Sequence, residues 1–135
     1  MVQVSIDYTG RLHCGAIHGP SGTTLATDAP LDNQGKGESF SPTDLVATAL
    51  GTCIATTMAI VAERNQVELK GMTVQVRKEM ADAPRRIARL TIDVHVPLPA
   101  DHPQRELLEK TALSCPVHRS LAAEMERPTE FFWEG

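Results

Sequence analysis

The chain has 135 residues, 41% of them hydrophobic and 22% charged, and its formal net charge of −4 is spread along its length. That size suits a single domain, residues 1–135, and leaves no room for two independent cores. The acidic balance and the lack of a Lys/Arg stripe argue against nucleic-acid binding.

No stretch reaches the ~18 apolar residues of a membrane span, so no membrane association is expected. The opening MVQVSIDYTG has neither the basic nor the apolar region of a signal peptide, which points to the cytoplasm. Cysteines at 14, 53 and 115 make no even secretory framework. In a reducing compartment such thiols are buried, metal-bound or redox-active rather than permanently bridged.

Val2, Val4 and Ile6 alternate with Gln3, Ser5 and Asp7, the period of a half-buried strand. Further strands are predicted over 12–17 and 23–27, with Gly19, Pro20 and Gly22 turning the chain between them. The Gly-, Pro- and polar-rich segment from Asp28 to Phe40 reads as a long loop of the kind that carries function. Ser41-Pro42-Thr43-Asp44 then signals a helix start: a serine cap, proline at the first helical position and an acidic residue three after the cap. The helix over 45–62, LVATALGTCIATTMAIVA, is apolar on nearly every face, and burial on all sides is expected.

Two alternating runs follow, Met72–Val76 and Leu90–Val96, separated by the turn-rich ADAPRR, and predict an antiparallel hairpin. Pro97, Pro99 and Pro103 end the second run. A helix is expected over 103–114, a break at Pro116 and a shorter helix over 117–125. TEFFW at 129–133 is a candidate last strand. The order β-β-β-α-β-β-α-α-β predicts an α+β domain around one long helix.

Cys53, in the middle of that helix, reads either as a small buried hydrophobe or as a reactive thiol. Small neighbours (Ala49, Gly51, Thr52, Ala55) leave room beside the sulfur, and Thr56 and Thr57 lie one turn on. A reactive cysteine needs its thiolate stabilised. The helix start is roughly 16 Å away, beyond the reach of the dipole, so a cation is expected to supply the stabilisation. Arg11, in the Tyr8–Arg11 turn, is a candidate, with Arg85, Arg86, Arg89 and Arg119 as alternatives. Cys115, before Pro116, sits where a helix breaks and a thiol could approach a partner. His13, Cys14 and His18, or Cys53, Cys115 and His118, lack the paired spacing of a structural zinc site. Neither a metal nor another cofactor is expected. Asp93 and His95 fall on the polar face of a strand.

Taken in order, Ser41-Pro42-x-x-Leu45, Ala49-Leu50-Gly51-x-Cys53 and Cys115-Pro116-Val117-x-x-x-Leu121 resemble the OsmC/Ohr family of thiol-dependent peroxidases. Thr27-Asp28-Ala29-Pro30 and the Gly35–Gly37 loop fit the same pattern, so the resemblance spans the chain. It implies an intertwined homodimer, with curved antiparallel sheets wrapped around long central helices and the active site at the interface. It also implies that Cys53 attacks a hydroperoxide and becomes a sulfenic acid, and that Cys115 resolves it as a disulfide. A small thiol or a dihydrolipoyl protein would then be the reductant. Arg11 corresponds to the family's N-terminal arginine. Where family peroxidases carry a glutamate after the helix-leading proline, this chain has Thr43, with Asp44 next to it. From Asp44 to Cys53 a helix rises about 13.5 Å and rotates by half a turn, which favours a capping role for Asp44 over contact with the thiol. Thr43 also leaves open a redox sensor or small-ligand-binding protein without efficient turnover.

Overall fold

The computed structural model describes residues Met1–Gly135. Its elements are β1 (Val4–Gly10), β2 (His13–His18), β3 (Thr24–Asp28), α1 (Pro42–Arg64), β4 (Thr73–Ala81), β5 (Arg86–Val96), α2 (Arg105–Ala112), α3 (Pro116–Ser120) and β6 (Thr129–Trp133), with one 3₁₀ turn at Leu31–Asn33. The order matches the one read from the sequence. The chain divides into two compact units, Met1–Val46 and Ala47–Gly135, and α1 begins in the first and continues through the second.

In the first unit β1, β2 and β3 form an antiparallel meander. Its register puts Val4, Ile6 and Tyr8 opposite His18, Ala16 and Cys14, with Leu25 and Thr27 next in line, so one face is largely apolar. That face is open: Val4, Ile6, Tyr8 and Leu25 are all exposed. On the other face His13 Nδ1 meets Asp28 Oδ1 at 2.6 Å. Asp28 is buried and also accepts from the Glu38 N–H at 3.0 Å, while its own N–H donates to the Phe40 carbonyl. These bonds tie the long loop back to β3.

The entry to α1 is the capping box that the sequence signalled. Ser41 N–H donates to Asp44 Oδ2 at 2.9 Å, and Asp44 N–H donates to Ser41 Oγ at 3.1 Å.

The second unit holds the main core. Along β5, Ile87, Leu90, Ile92, Val94 and Val96 are buried, joined by Leu50, Ile54 and Met58 of α1 and Leu108 of α2. Gly51 permits close helix–sheet packing, since a Cβ there would stand 3.1 Å from Val76 Cγ2. β4 pairs antiparallel with β5, as the two alternating runs predict. TEFFW does form the last strand, but β6 runs parallel to β5, so this sheet is mixed where only antiparallel pairing was expected. The chain leaves β5 at Val96, and the crossover through α2 and α3 carries it back toward the start of β5, so that β6 enters with Thr129 beside Ile92 and ends with Trp133 beside Val96. Trp133 Nε1 and Arg105 Nε both donate to Glu109 Oε2 at 2.8 Å, fastening β6 to α2.

Three expectations need correction. At 23 residues, α1 is long and apolar enough by length and composition to cross a membrane, because threonine interrupts its apolar run without adding charge. Within one chain it is not buried on all sides: Thr48, Thr52, Thr56 and Ile60 form an exposed stripe at four-residue spacing. Thr52 Oγ1 returns its hydroxyl to the Thr48 carbonyl at 2.8 Å, so a threonine can occupy that stripe with its polar group satisfied. Finally, the two later helices are shorter than expected. A turn in which Arg105 N–H donates to the His102 carbonyl precedes α2, which starts only at Arg105, and extended backbone at Leu121 ends α3 after Ser120.

Candidate active site

Cys53 lies half-buried midway along α1, and Cys115 is fully buried between α2 and α3. The second unit brings these two thiols together, both of them free. Local sequence explains how. Cys115 is extended and caps α3, and Pro116 takes the first helical position with its φ already suitable. The next two amides then begin a helix with no carbonyl behind them. Both find sulfur: His118 N–H donates to Cys115 Sγ at 3.4 Å, and Val117 N–H donates to Cys53.

The Cys115 thiol hydrogen-bonds to Cys53 as well, and the Thr57 hydroxyl stands 3.8 Å from Cys53 Sγ. Burial alone pushes the Cys53 thiol up. The Val117 N–H, the Cys115 thiol and the Thr57 hydroxyl all favour the thiolate and outweigh burial, so Cys53 titrates below the ordinary 9.0. Cys115 moves the other way. Burial and its bond and proximity to Cys53 keep it protonated, against the opposing pull of the His118 and Val117 amides. One thiol is thus acidified and partly accessible, the other protonated and enclosed. Burial and nearby Arg127 lower His118, which favours its neutral form.

The amide of Val117 is the functional group that sequence reasoning missed. That reasoning sought a side-chain cation, whereas the stabilisation within this unit comes from a backbone N–H and a second thiol. The available signal was the proline directly after Cys115, which fixes where the free amides begin.

Other predicted residues have definite places. Arg11 is exposed in the β1–β2 turn of the first unit, where Gly10, Arg11 and Leu12 all have positive φ (92°, 56° and 61°). Asp44, in the same unit, caps α1. Cys14 is half-buried on the apolar face of β2. Arg89 is committed to Glu79 and Glu126 at 3.0 and 2.6 Å, and Arg119 Nε donates to the Ser114 carbonyl. Asp93 pairs with Arg77, and His95 stacks on Phe132 and meets Glu134. No three His, Cys, Asp or Glu side chains converge as a metal site.

The family model described as OsmC-like protein matches residues 35–127, a span that contains both thiols and the capping box. This chain belongs to the OsmC-like family. A solved structure from Psychrobacter arcticus 273-4, of a protein named for osmotic stress induction and detoxification response, is 37% identical. It superposes with a TM-score of 0.89 over 99% of this chain and 96% of its own. An organic hydroperoxide resistance protein from Legionella pneumophila shares the OsmC-like fold at 14% identity and a TM-score of 0.76, covering 100% of this chain and 97% of its own. One from Elizabethkingia anophelis does so at 12% identity and 0.75, covering 100% and 96%. At those identities the likeness shows the fold alone. No curated protein matches the sequence.

Proposed function

We propose that this OsmC-like protein is a thiol-dependent peroxidase that reduces organic hydroperoxides or hydrogen peroxide. The observation that carries the reading is the unequal thiol pair: Cys53 acidified by the Val117 amide and the Cys115 thiol, beside a Cys115 kept protonated. Proteins of this fold named for organic hydroperoxide resistance support it.

The Cys53 thiolate attacks the terminal peroxide oxygen and the O–O bond breaks. Cys53 becomes a sulfenic acid, and the alkoxide leaves and takes a proton from solvent as the alcohol. Cys115 then displaces hydroxide from the sulfenic sulfur, giving the Cys53–Cys115 disulfide and water. A small thiol or a dihydrolipoyl protein reduces the bond by exchange. Arg11 supplies a cation that further favours the thiolate, and Asp44 supports the site by fixing the start of α1. The reaction needs no metal or organic cofactor and suits a reducing cytoplasm.

The protein works as a homodimer in this proposal. The open apolar face of β1–β3 and the Thr48–Ile60 stripe are the surfaces that a second copy would cover. Thr43 sustains a second reading, a redox sensor or ligand-binding protein. Its hydroxyl lies 3.2 Å from Ser41 Oγ, at the position where family peroxidases carry a carboxylate.

Peroxide consumption with dithiothreitol tests the proposal. Cys53→Ser abolishes turnover, Cys115→Ser accumulates a sulfenic acid trappable by dimedone, and Arg11→Met lowers the rate with both thiols intact. Equal, slow peroxide loss in wild type and Cys53→Ser removes the peroxidase reading in favour of the second.

A further inference from the structure

We infer that the cleft between β5 and the segment 122–128 binds a small organic monocarboxylate, with Arg127 holding the carboxylate and apolar side chains receiving the body. The site uses neither thiol and stands or falls independently of the peroxidase reading.

The path of the chain shapes the cleft. After α3 it turns at Ala122, whose carbonyl accepts the Met125 N–H at 3.1 Å, and it is then laid along β5. Glu126 N–H donates to the Ala88 carbonyl, Leu90 N–H donates to the Glu126 carbonyl, and Ile92 N–H donates to the Pro128 carbonyl. Between the turn and the strand opens a cleft of about 670 Å³, a size that suits a small molecule. Its β5 wall is made by Arg89 and Thr91, which alternate with the buried Leu90 and Ile92 and so lie on the face of the sheet turned away from the core. None of the lining residues belongs to α1 or to β1–β3, so the cleft does not depend on the surfaces that a second copy is proposed to cover.

The charges here are unevenly matched. Arg89 is held by Glu79 and Glu126 at 3.0 and 2.6 Å. Arg77, opposite Thr91 on β4, pairs with Asp93 at 2.7 Å. Arg127, half-buried in the lining of the cleft, differs from both. Its Nη1–H donates to the Ala122 carbonyl at 3.0 Å, which holds the guanidinium against the turn, and no carboxylate of the chain pairs with it. The uncompensated charge is felt at His118, whose protonation it opposes.

These features select the ligand. The remaining N–H groups of Arg127 form a planar fork that matches the two oxygens of a carboxylate. The Thr91 hydroxyl supplies a further donor from the β5 wall. Ala123, Met125 and Pro128 supply apolar surface, and methionine adapts to bodies of different shape. The charge balance sets the valence. Arg127 offers one unmatched positive charge, and a second negative charge on the ligand would meet Glu126 in the same cleft with no cation left to pair it. Monocarboxylates are therefore favoured over dicarboxylates and phosphate.

The test is chemical-shift mapping of the full-length, nitrogen-15-labelled protein titrated with sodium pentanoate at constant ionic strength. Saturable shifts at the Thr91, Met125 and Arg127 amides are expected, with a Kd of about millimolar for a ligand this small. Arg127→Gln should weaken binding at least about tenfold. Because Arg127 also ties the turn, a second variant leaves it in place: Thr91→Glu puts a carboxylate into the cleft and should weaken pentanoate binding as well. Glutarate and phosphate should bind more weakly than pentanoate, and 1-pentanol should not saturate these amides. Shifts that sodium chloride reproduces without saturation overturn the inference, as does unchanged affinity in either variant. Glutarate or phosphate binding as tightly as pentanoate overturns it too. A short peptide whose C-terminal carboxylate binds much more tightly than pentanoate would give the cleft to a protein partner and likewise overturn it.

Discussion

The two sheets of this molecule start from similar patterns and end in different surroundings. β1 and β5 both alternate apolar and polar residues, yet Leu90, Ile92, Val94 and Val96 of β5 have no exposed surface, whereas Ile6 of β1 is 64% exposed. The difference lies in what each sheet meets. β5 is central in its sheet, between β4 and β6, and shares a core with α1 and α2 residues of its own unit. β1 is an edge strand whose apolar face has nothing of its own unit over it. Period-two alternation specifies which face is apolar but carries no information about what covers it. Sheet edges and uncovered apolar faces of this kind are liabilities unless a partner covers them.

The comparison breaks most sharply under substitution. Ile92→Ala removes a fully buried side chain and should destabilise the fold by about 2–5 kcal/mol. Ile6→Ala, on the open face, should change the stability of a monomer by less than about 0.5 kcal/mol. If a second copy covers that face, the Ile6→Ala loss becomes larger and the unfolding midpoint depends on protein concentration. Urea unfolding at several concentrations reads both effects. A concentration-independent midpoint in wild type, with Ile6→Ala silent, removes the homodimer.

What the sequence disclosed follows the same division. The Ser41–Asp44 cap, α1 and the β4–β5 hairpin were legible, because each is specified by residues close together in the chain. The sense of β6 was not, since Thr129–Trp133 would read alike in a parallel or an antiparallel pairing. The exposed stripe of α1 was hidden for a related reason: a threonine that bonds its own helix carbonyl tolerates burial and exposure alike. At the thiols, Cys53 and Cys115 could be chosen by residue type and context. The Val117 amide could not, because every residue but proline carries one and only the fold decides which amide meets a sulfur.

The cap offers a sharper probe, because it lies in the first unit and its helix runs through the second. Asp44→Ala removes the acceptor of the N–H of Ser41, which is buried, and should cost about 0.5–2 kcal/mol. Asp44→Asn retains an acceptor oxygen and should recover most of the loss. If the two units unfold as one, near-ultraviolet signals from Tyr8 and Trp133 shift together in Asp44→Ala. Separate transitions, with only the Tyr8 signal displaced, would show that the cap serves the first unit alone.

The smallest effect concerns the acid limb of stability. Asp28 is held below its ordinary 3.8 chiefly by the hydrogen bond from His13, assisted by the Glu38 N–H and by the charges of His13 and Lys36, against the opposing effect of burial. A carboxylate depressed in the folded state binds protons more readily when unfolded, so folding stability rises with pH through this range. The contribution is complete above the unfolded value near 3.8 and is lost as pH falls through the lower folded one. Asp28→Asn should therefore flatten the acid limb below about pH 4. Above it, the variant should be less stable than wild type by a roughly constant amount, because the charge-assisted bond to His13 is gone. The site binds the long loop to β3, so hydrogen exchange at the Glu38 amide should quicken in Asp28→Asn while amides of β5 stay protected. Equal loss of protection in β5 would mean that the open sheet and the closed one share one cooperative unit after all, and that the difference in their exposure carries no difference in local stability.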